Sequence, residues 1–195
     1  MKSLLAASAI SVALLAAPAS AQRLSPTAVA VVDTDRISRE CTACRAAQTQ
    51  LQTQGTTLRT RAQTLQTQLQ TSGQPIQTAV NALNGKQPDA ALQGRITAFQ
   101  AQQRNAAQEI ERGEQNFRSI QANVSRQISE RLIPIINTVS AARGASVTVD
   151  RGAVLFAAPT LDITNDVLAQ LNQQLPSVSV TPLPAAPQAA RPQGR

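Results

Sequence analysis

The chain has 195 residues and a formal net charge of +7, with three Phe, no Trp, no Tyr and no His. Aromatic side chains supply much of the area that fills a broad core, so this composition argues against a wide globular body and favours long, thin helices packed along a seam. The missing His removes the usual base of a serine hydrolase and the commonest zinc ligand. The basic balance points to anionic partners, among which compartment must decide.

Compartment is set by residues 1–21. Lys2 is a minimal positive start, Leu4 to Ala17 is apolar, and Ala19-Ser20-Ala21 has the A-x-A form of a cleavage site. Together they predict a secretory signal peptide cut between Ala21 and Gln22. The apolar stretch falls short of the roughly 20 residues of a spanning helix. Without Lys2, the mature chain carries 17 basic and 11 acidic residues, or +6. An exported, soluble product, periplasmic in a bacterium, is then expected to have no nucleic acid as its physiological partner.

Residues 22–36 hold a first strand and the start of a helix. Ala28-Val29-Ala30-Val31-Val32 is short, apolar and β-branched, the pattern of a buried strand. Asp33-Thr34-Asp35 offers helix caps directly after it.

Residues 37–127 read as a helical hairpin. Ile37, Cys44, Leu51, Leu58, Leu65, Ser72 and Ala79 recur every seven residues, and Cys41, Gln48, Gly55, Ala62, Leu69, Ile76 and Leu83 interleave with them. This is a heptad seam. Gln48, Gly55 and Ser72 are weak occupants and predict loose packing, and Pro75 predicts a kink. Asn84 to Asp89 breaks the pattern with turn residues. The heptad then resumes with Leu92, Phe99, Ala106, Gly113 and Ile120, interleaved with Ile96, Gln103, Ile110, Phe117 and Val124. Two helices joined by a short turn pack antiparallel. An arm of about fifty residues is on the order of 70 Å long.

Residues 128–175 are expected to form the body. The register shifts to Ile128, Leu132, Ile135 and Val139, a broader apolar face, with a bend at Pro134 and a stop at Gly144. A β-hairpin is predicted from Ser146–Val149 and Ala153–Ala157 around Asp150-Arg151-Gly152. A short helix, Val167 to Asn172, is expected behind Asp162 or Thr164 as cap. Residues 176–195 are rich in Pro, Ala and Gln and predict a disordered tail, with Val178 to Val180 as an optional edge strand. The fold class is thus α+β, mainly α: a long antiparallel coiled-coil arm projecting from a small β-sheet body.

Few residues carry chemistry. Cys41 and Cys44 form a CxxC on the seam near the arm's root. A redox centre lacks the surrounding βαβ pattern, and a zinc site would need thiols pooled from several chains. A structural pair, or a disulfide within or between subunits, fits better in an export compartment. Glu109, Glu111 and Glu114 lie near Arg112 and Arg118 and read as a solvated helical face. No phosphate-binding glycine loop is present. The chain reads as a non-enzyme without cofactor or metal.

Charge does pick out one region. Between residues 59 and 104 the basic residues are Arg59, Arg61, Lys86, Arg95 and Arg104, opposed by Asp89 alone, or 5 − 1 = +4. These five are the candidate client- or anion-binding residues, since a basic arm raises the capture rate of acidic chains.

The segment AVAVVDTDRI (Ala28 to Ile37) and the foot SVTVDRGAVLFAAPTLDITNDVLAQLN (Ser146 to Asn172) resemble those of the Skp/OmpH family of periplasmic chaperones. The likeness covers residues 28–175. It implies a homotrimer whose arms enclose a cavity and hold unfolded outer-membrane proteins without ATP. The chain departs from the family in being Arg- and Gln-rich and in its Pro-rich tail. A structural coiled-coil spacer and an adaptor for anionic lipid or lipopolysaccharide are the alternatives.

Overall fold

A computed structural model of the chain describes residues 27–183. The signal peptide and its cleavage site at Ala21 and Gln22 lie outside these residues. The element order is β1 (Val29–Val32), α1 (Thr34–Glu40), α2 (Thr42–Asn81), α3 (Ala90–Ala142), β2 (Val147–Asp150) and α4 (Thr164–Gln174).

The two strands are parallel, with Val29 opposite Val147 and Val32 opposite Asp150. A parallel pair requires a crossover connection, and here the whole helical hairpin serves as that crossover. Residues 118 apart in sequence thereby fix both ends of the arm to one small sheet.

The first helix begins as the sequence predicts. Asp33 caps α1, its Oδ1 accepting from the Arg36 amide at 2.6 Å. It does not run straight into the arm, however. Cys41 leaves helical geometry at φ −57°, ψ 125° and separates α1 from α2. The Cys41 sulfur accepts from the Cys44 amide at 3.2 Å and so caps α2.

The arm consists of α2 and α3, about 60 and 80 Å long from their residue counts. Asn84 and Gly85 turn the chain between them with φ of +47° and +85°, values that favour Asn and Gly. Asp89 then caps α3 through the Leu92 amide at 2.7 Å. Both helices continue unbroken through their prolines, Pro75 and Pro134.

The heptad positions face inward, but most are only half-buried: Leu51, Leu58, Leu65, Leu69 and Ile76 on α2, and Ile96, Phe99, Ile110 and Phe117 on α3. Gln48 is exposed, as a weak seam occupant should be, whereas Ser72 is half-buried. Gly55 behaves differently from that expectation. A Cβ placed there would lie 3.3 Å from Phe117 Cζ, one at Gly73 would lie 2.9 Å from Phe99 Cζ, and one at Gly113 would lie 2.6 Å from Leu58 Cδ1. The glycines are sockets for the largest side chains of the opposite helix, so the seam is filled where it looked empty.

The body has a compact core of Val32, Ile37, Ile135, Val139, Val167 and Leu171. The same cluster reaches Ala47, Ile120 and Val124, so the boundary expected between residues 127 and 128 falls inside it. The root of the arm belongs to the body. Gly144 at φ +72° ends α3, with amide bonds from Gly144 to Ala141 and from Ala145 to Ser140, both at 2.9 Å. This is a Schellman stop.

Two expectations fail here. The predicted β-hairpin does not form: Asp150 Oδ1 accepts from the Gly152 amide at 2.8 Å, and Arg151–Ala153 closes into a 3-10 turn. Residues 154–158 have no strand partner among the described residues. They leave Leu155 and Phe156 at 109% and 85% of full exposure. The short helix, in turn, is longer than expected, and its N-cap, Ile163, makes no side-chain cap bond. Asp162 bonds the Thr164 amide at 2.8 Å from one position earlier. Thr164 itself is fully buried and accepts from the Asp33 amide at 2.9 Å, tying α4 to the start of α1.

The second failure is the tail. Residues 176–183 were expected to be disordered, yet they run as an extended strap along the root of the arm. Val178 is buried and Val180 packs against the core. Val178 to Val180 joins no strand. Residues 184–195 lie outside the described residues.

Candidate functional site

The five candidate cations are all exposed and spread along the arm. They do not converge on one point. Arg61 on α2 grips Glu109 on α3 with two bonds, 2.6 Å from Nε to Oε1 and 3.0 Å from Nη2 to Oε2. A bidentate pair of this kind is directional as well as ionic. It raises the affinity of Arg61 for its proton, chiefly through the Glu109 hydrogen bond. The same bond holds the Glu109 carboxyl below its ordinary range. Arg61 therefore clasps the two helices instead of presenting a free charge. Arg59 bonds the Gly55 carbonyl through Nε at 3.2 Å. Among the described residues, Lys86, Arg95 and Arg104 have no carboxylate within ion-pair distance.

The clustered glutamates resolve into separate local bonds. Glu114 lies 3.7 Å from Arg118, and Glu111 accepts from Gln115 at 3.1 Å. No group of three or more potential metal ligands occurs among the described residues. Cys41 and Cys44 are joined in a disulfide within one chain, buried at the junction of α1 and α2.

Between α2 and α3 the thin seam leaves shallow apolar grooves. One, of about 340 Å³, is lined by Leu58, Arg61, Glu109, Ile110, Phe117 and Ile120 among others. A second, of about 490 Å³, opens further out beside Leu65, Leu69, Ala106 and Ile110. Grooves flanked by Gln, Thr and Arg suit a long, partly apolar chain better than a small ligand, because they are open and run along the arm. Pocket-sized ligand sites enclose most of their occupant.

The body carries a third surface. A trough of about 480 Å³ lies between α3 and β2, lined by Ile133, Ile136, Ser140, Thr148 and Val149 among others. Ile133 is 58% exposed beside it. Sequence reasoning missed both this trough and the uncovered Leu155 and Phe156, because it placed residues 153–157 in the second strand of a hairpin.

Fold and surface together define a class: a two-helix arm on a small α/β foot, with open grooves and no catalytic cluster among the described residues. The family model for outer membrane protein (OmpH-like) matches residues 28–171, and the chain belongs to that family. No curated protein matches it. Among solved structures, a candidate outer membrane chaperone (OmpH-like) from Caulobacter crescentus CB15 superimposes with a TM-score of 0.66 at 19% identity. The match covers 82% of this chain and 92% of that one. At that identity the likeness concerns the fold. Family membership supports a chaperone role. No described helix is long and apolar enough to cross a membrane.

Proposed function

We propose that the chain is a periplasmic, ATP-independent holdase, and that it prevents unfolded outer-membrane proteins from aggregating by holding them between the arms of a homotrimer. The observation that carries the reading is the arm itself. Beyond the root that packs into the body, it runs on for about thirty residues of each helix, or about 45 Å. It leaves most of its seam half-exposed, and presents open apolar grooves on an arm whose Lys86, Arg95 and Arg104 have no carboxylate partner among the described residues. Such a surface offers many weak contacts to an unfolded chain without a shaped pocket. It needs no catalytic group.

The exposed apolar features of the body favour assembly. Leu155 and Phe156 project uncovered, and the trough beside Ile133 stays open among the described residues. A knob and a trough on different faces make a head-to-tail contact, which closes into a ring when the rotation allows. Three copies would then place three arms around one space. The basic residues Lys86, Arg95 and Arg104 would steer acidic clients toward it, an effect that added salt should weaken.

Suppression of aggregation of a denatured porin by the mature protein, without nucleotide, tests the reading. Protection at a one-to-one ratio of trimer to client supports it. A trimer that does not protect would instead be a structural spacer. Binding to anionic vesicles without binding to the porin would mark a lipid or lipopolysaccharide adaptor.

A further inference from the structure

The strap formed by residues 176–183 is held in an unusual way. Its apolar anchors are few: Val178 is buried and Val180 half-buried, while Ser179 between them and Thr181 after them are exposed. That alternation is the period of an extended strand. No strand pairs with it, however, and its backbone is bonded instead by side chains of the arm.

Gln127 reads both polar groups of one residue. Its Oε1 accepts from the Ser179 amide at 3.0 Å, and its Nε2 donates to the Ser179 carbonyl at 2.9 Å. A side-chain amide here takes the place of a neighbouring strand's peptide group. One turn back toward the start of α3, Asn123 Nδ2 donates to the Thr181 carbonyl at 2.9 Å. One turn beyond that, Ser119 Oγ accepts from the Leu183 amide at 3.0 Å. From α2, Gln54 Nε2 reaches the Val180 carbonyl at 3.4 Å.

Positions 119, 123 and 127 are spaced by four and lie on one face of α3. Their bonds fall on strap residues 183, 181 and 179, spaced by two. The pitch of the helix, about 5.4 Å per turn, comes close to the two-residue repeat of an extended chain, about 6.6 Å. Every one of these bonds goes to backbone. The site therefore recognises an extended polypeptide irrespective of its side chains, apart from a preference for small apolar residues at alternate positions. Peptide recognition on a sheet edge uses the same division of labour between backbone and side chain.

From this we infer that Gln54, Ser119, Asn123 and Gln127 form a sequence-independent binding site for extended, unfolded polypeptide, with the strap as its resident intramolecular ligand. The inference rests on the reading of the chain as a binder of unfolded protein. Tethering gives the strap a high effective concentration, so a short peptide competes poorly. A long client that also engages the arm grooves can displace it. The strap thus sets a threshold that favours long unfolded chains over short fragments.

Two measurements test this. In the full mature chain, Val178→Asp with Ser179→Pro removes the apolar anchor and the amide that Gln127 accepts, and so releases the strap. Binding is then read by fluorescence anisotropy with a labelled peptide of residues 176–183 and with an unrelated peptide of alternating Val and Asn. The released protein should bind both about tenfold more tightly than the unaltered one, and adding Gln127→Ala should reverse most of that gain. A released protein that keeps its helical circular dichroism but binds neither peptide would overturn the proposal. So would binding indifferent to Gln127→Ala.

The second measurement needs no substitution. Hydrogen exchange at the Ser179 and Leu183 amides of the unaltered protein should speed up when a denatured porin is added in excess. Continued protection of these amides in a complex that does form would refute the site while leaving the holdase reading intact. Peptide binding by the released protein, with no protection of porin by any form, would refute the holdase reading and leave the site.

Discussion

In the body, Ile37, Val167 and Leu171 are wholly buried, while along the arm Leu51, Leu58, Leu65 and Leu69 are only half-covered. The residue types are the same and the neighbours differ. A side chain in the foot is enclosed by a sheet, the roots of two long helices and α4. One in the arm meets a single opposite helix. Since stabilisation follows the apolar area removed from water, the foot should anchor the molecule and the arm should open first. Local opening of this kind belongs to regions with few buried contacts. On the proposed holdase reading, the less stable half is then the half that meets the client.

The sharpest way to break this comparison is to truncate one leucine in each region. Leu171→Ala should cost about 3 kcal/mol, within the range for a buried leucine. Leu65→Ala should cost about 1 kcal/mol, because half of its surface already meets water. Urea unfolding measures both, and equal costs would erase the distinction between foot and arm.

The junction between the regions comes next. Reducing the Cys41–Cys44 disulfide opens a loop of very few residues, so the chain-entropy loss is near the lower end for a disulfide, about 1.5 kcal/mol. Faster exchange should be confined to the amides around Glu40 to Arg45. A drop in stability much beyond this would mean that the bond organises the whole foot.

Within the arm, two glycines separate propensity from packing. Gly94 has no atom within 4 Å of where a Cβ would stand, so Gly94→Ala should stabilise by up to about 1 kcal/mol through helix propensity alone. Gly73→Ala gains the same propensity but sets its Cβ 2.9 Å from the Phe99 ring. The midpoint of unfolding should therefore stay level or fall. A gain equal to that of Gly94→Ala would show that Phe99 does not rely on its socket.

The smallest effect concerns acid. Asp150 is held below its ordinary value first by the Thr34 hydroxyl and then by the Gly152 amide, against a small cost of burial. A carboxyl whose folded value is depressed contributes stability above its unfolded value, near 3.8, and loses it as pH falls through the lower folded value. The loss should begin below about pH 4. Thr34→Val should raise the Asp150 value and flatten that part of the profile, whereas arm variants should leave it unchanged. Thermal unfolding between pH 2 and pH 6 reads the difference.

Much of this architecture is legible in the sequence, for physical reasons that also explain where legibility stops. The heptad repeats from Ile37 onward, the Asn84-Gly85 turn and the Gly144 stop are local patterns, and each reports directly on backbone geometry. The pairing of β1 with β2 is not local, since the connection between them is the entire arm. The hairpin expected at Ala153 to Ala157 is a sound local pattern that finds no partner strand among the described residues. Gly55 looked weak because a seam read from one helix omits what the other inserts. The strap was hardest to see. Its apolar content is low, and the groups that order it, Gln54, Asn123, Gln127 and Ser119, read as ordinary solvent-facing residues.

The candidate cations were legible as a charge excess, but their separate roles were not. Only the three-dimensional placement of Glu109 shows that Arg61 clasps α2 to α3, while Lys86, Arg95 and Arg104 remain unpaired among the described residues. The sequence placed Glu109 48 residues away, with no periodic relation to Arg61.

The most direct test of the central claim is the light-scattering mass of the mature protein alone and with an unfolded porin. The account predicts about three times the chain mass alone, and that mass plus one porin in the mixture. A single-chain mass at micromolar concentration, or a trimer whose mass is unchanged while the porin aggregates beside it, would contradict it.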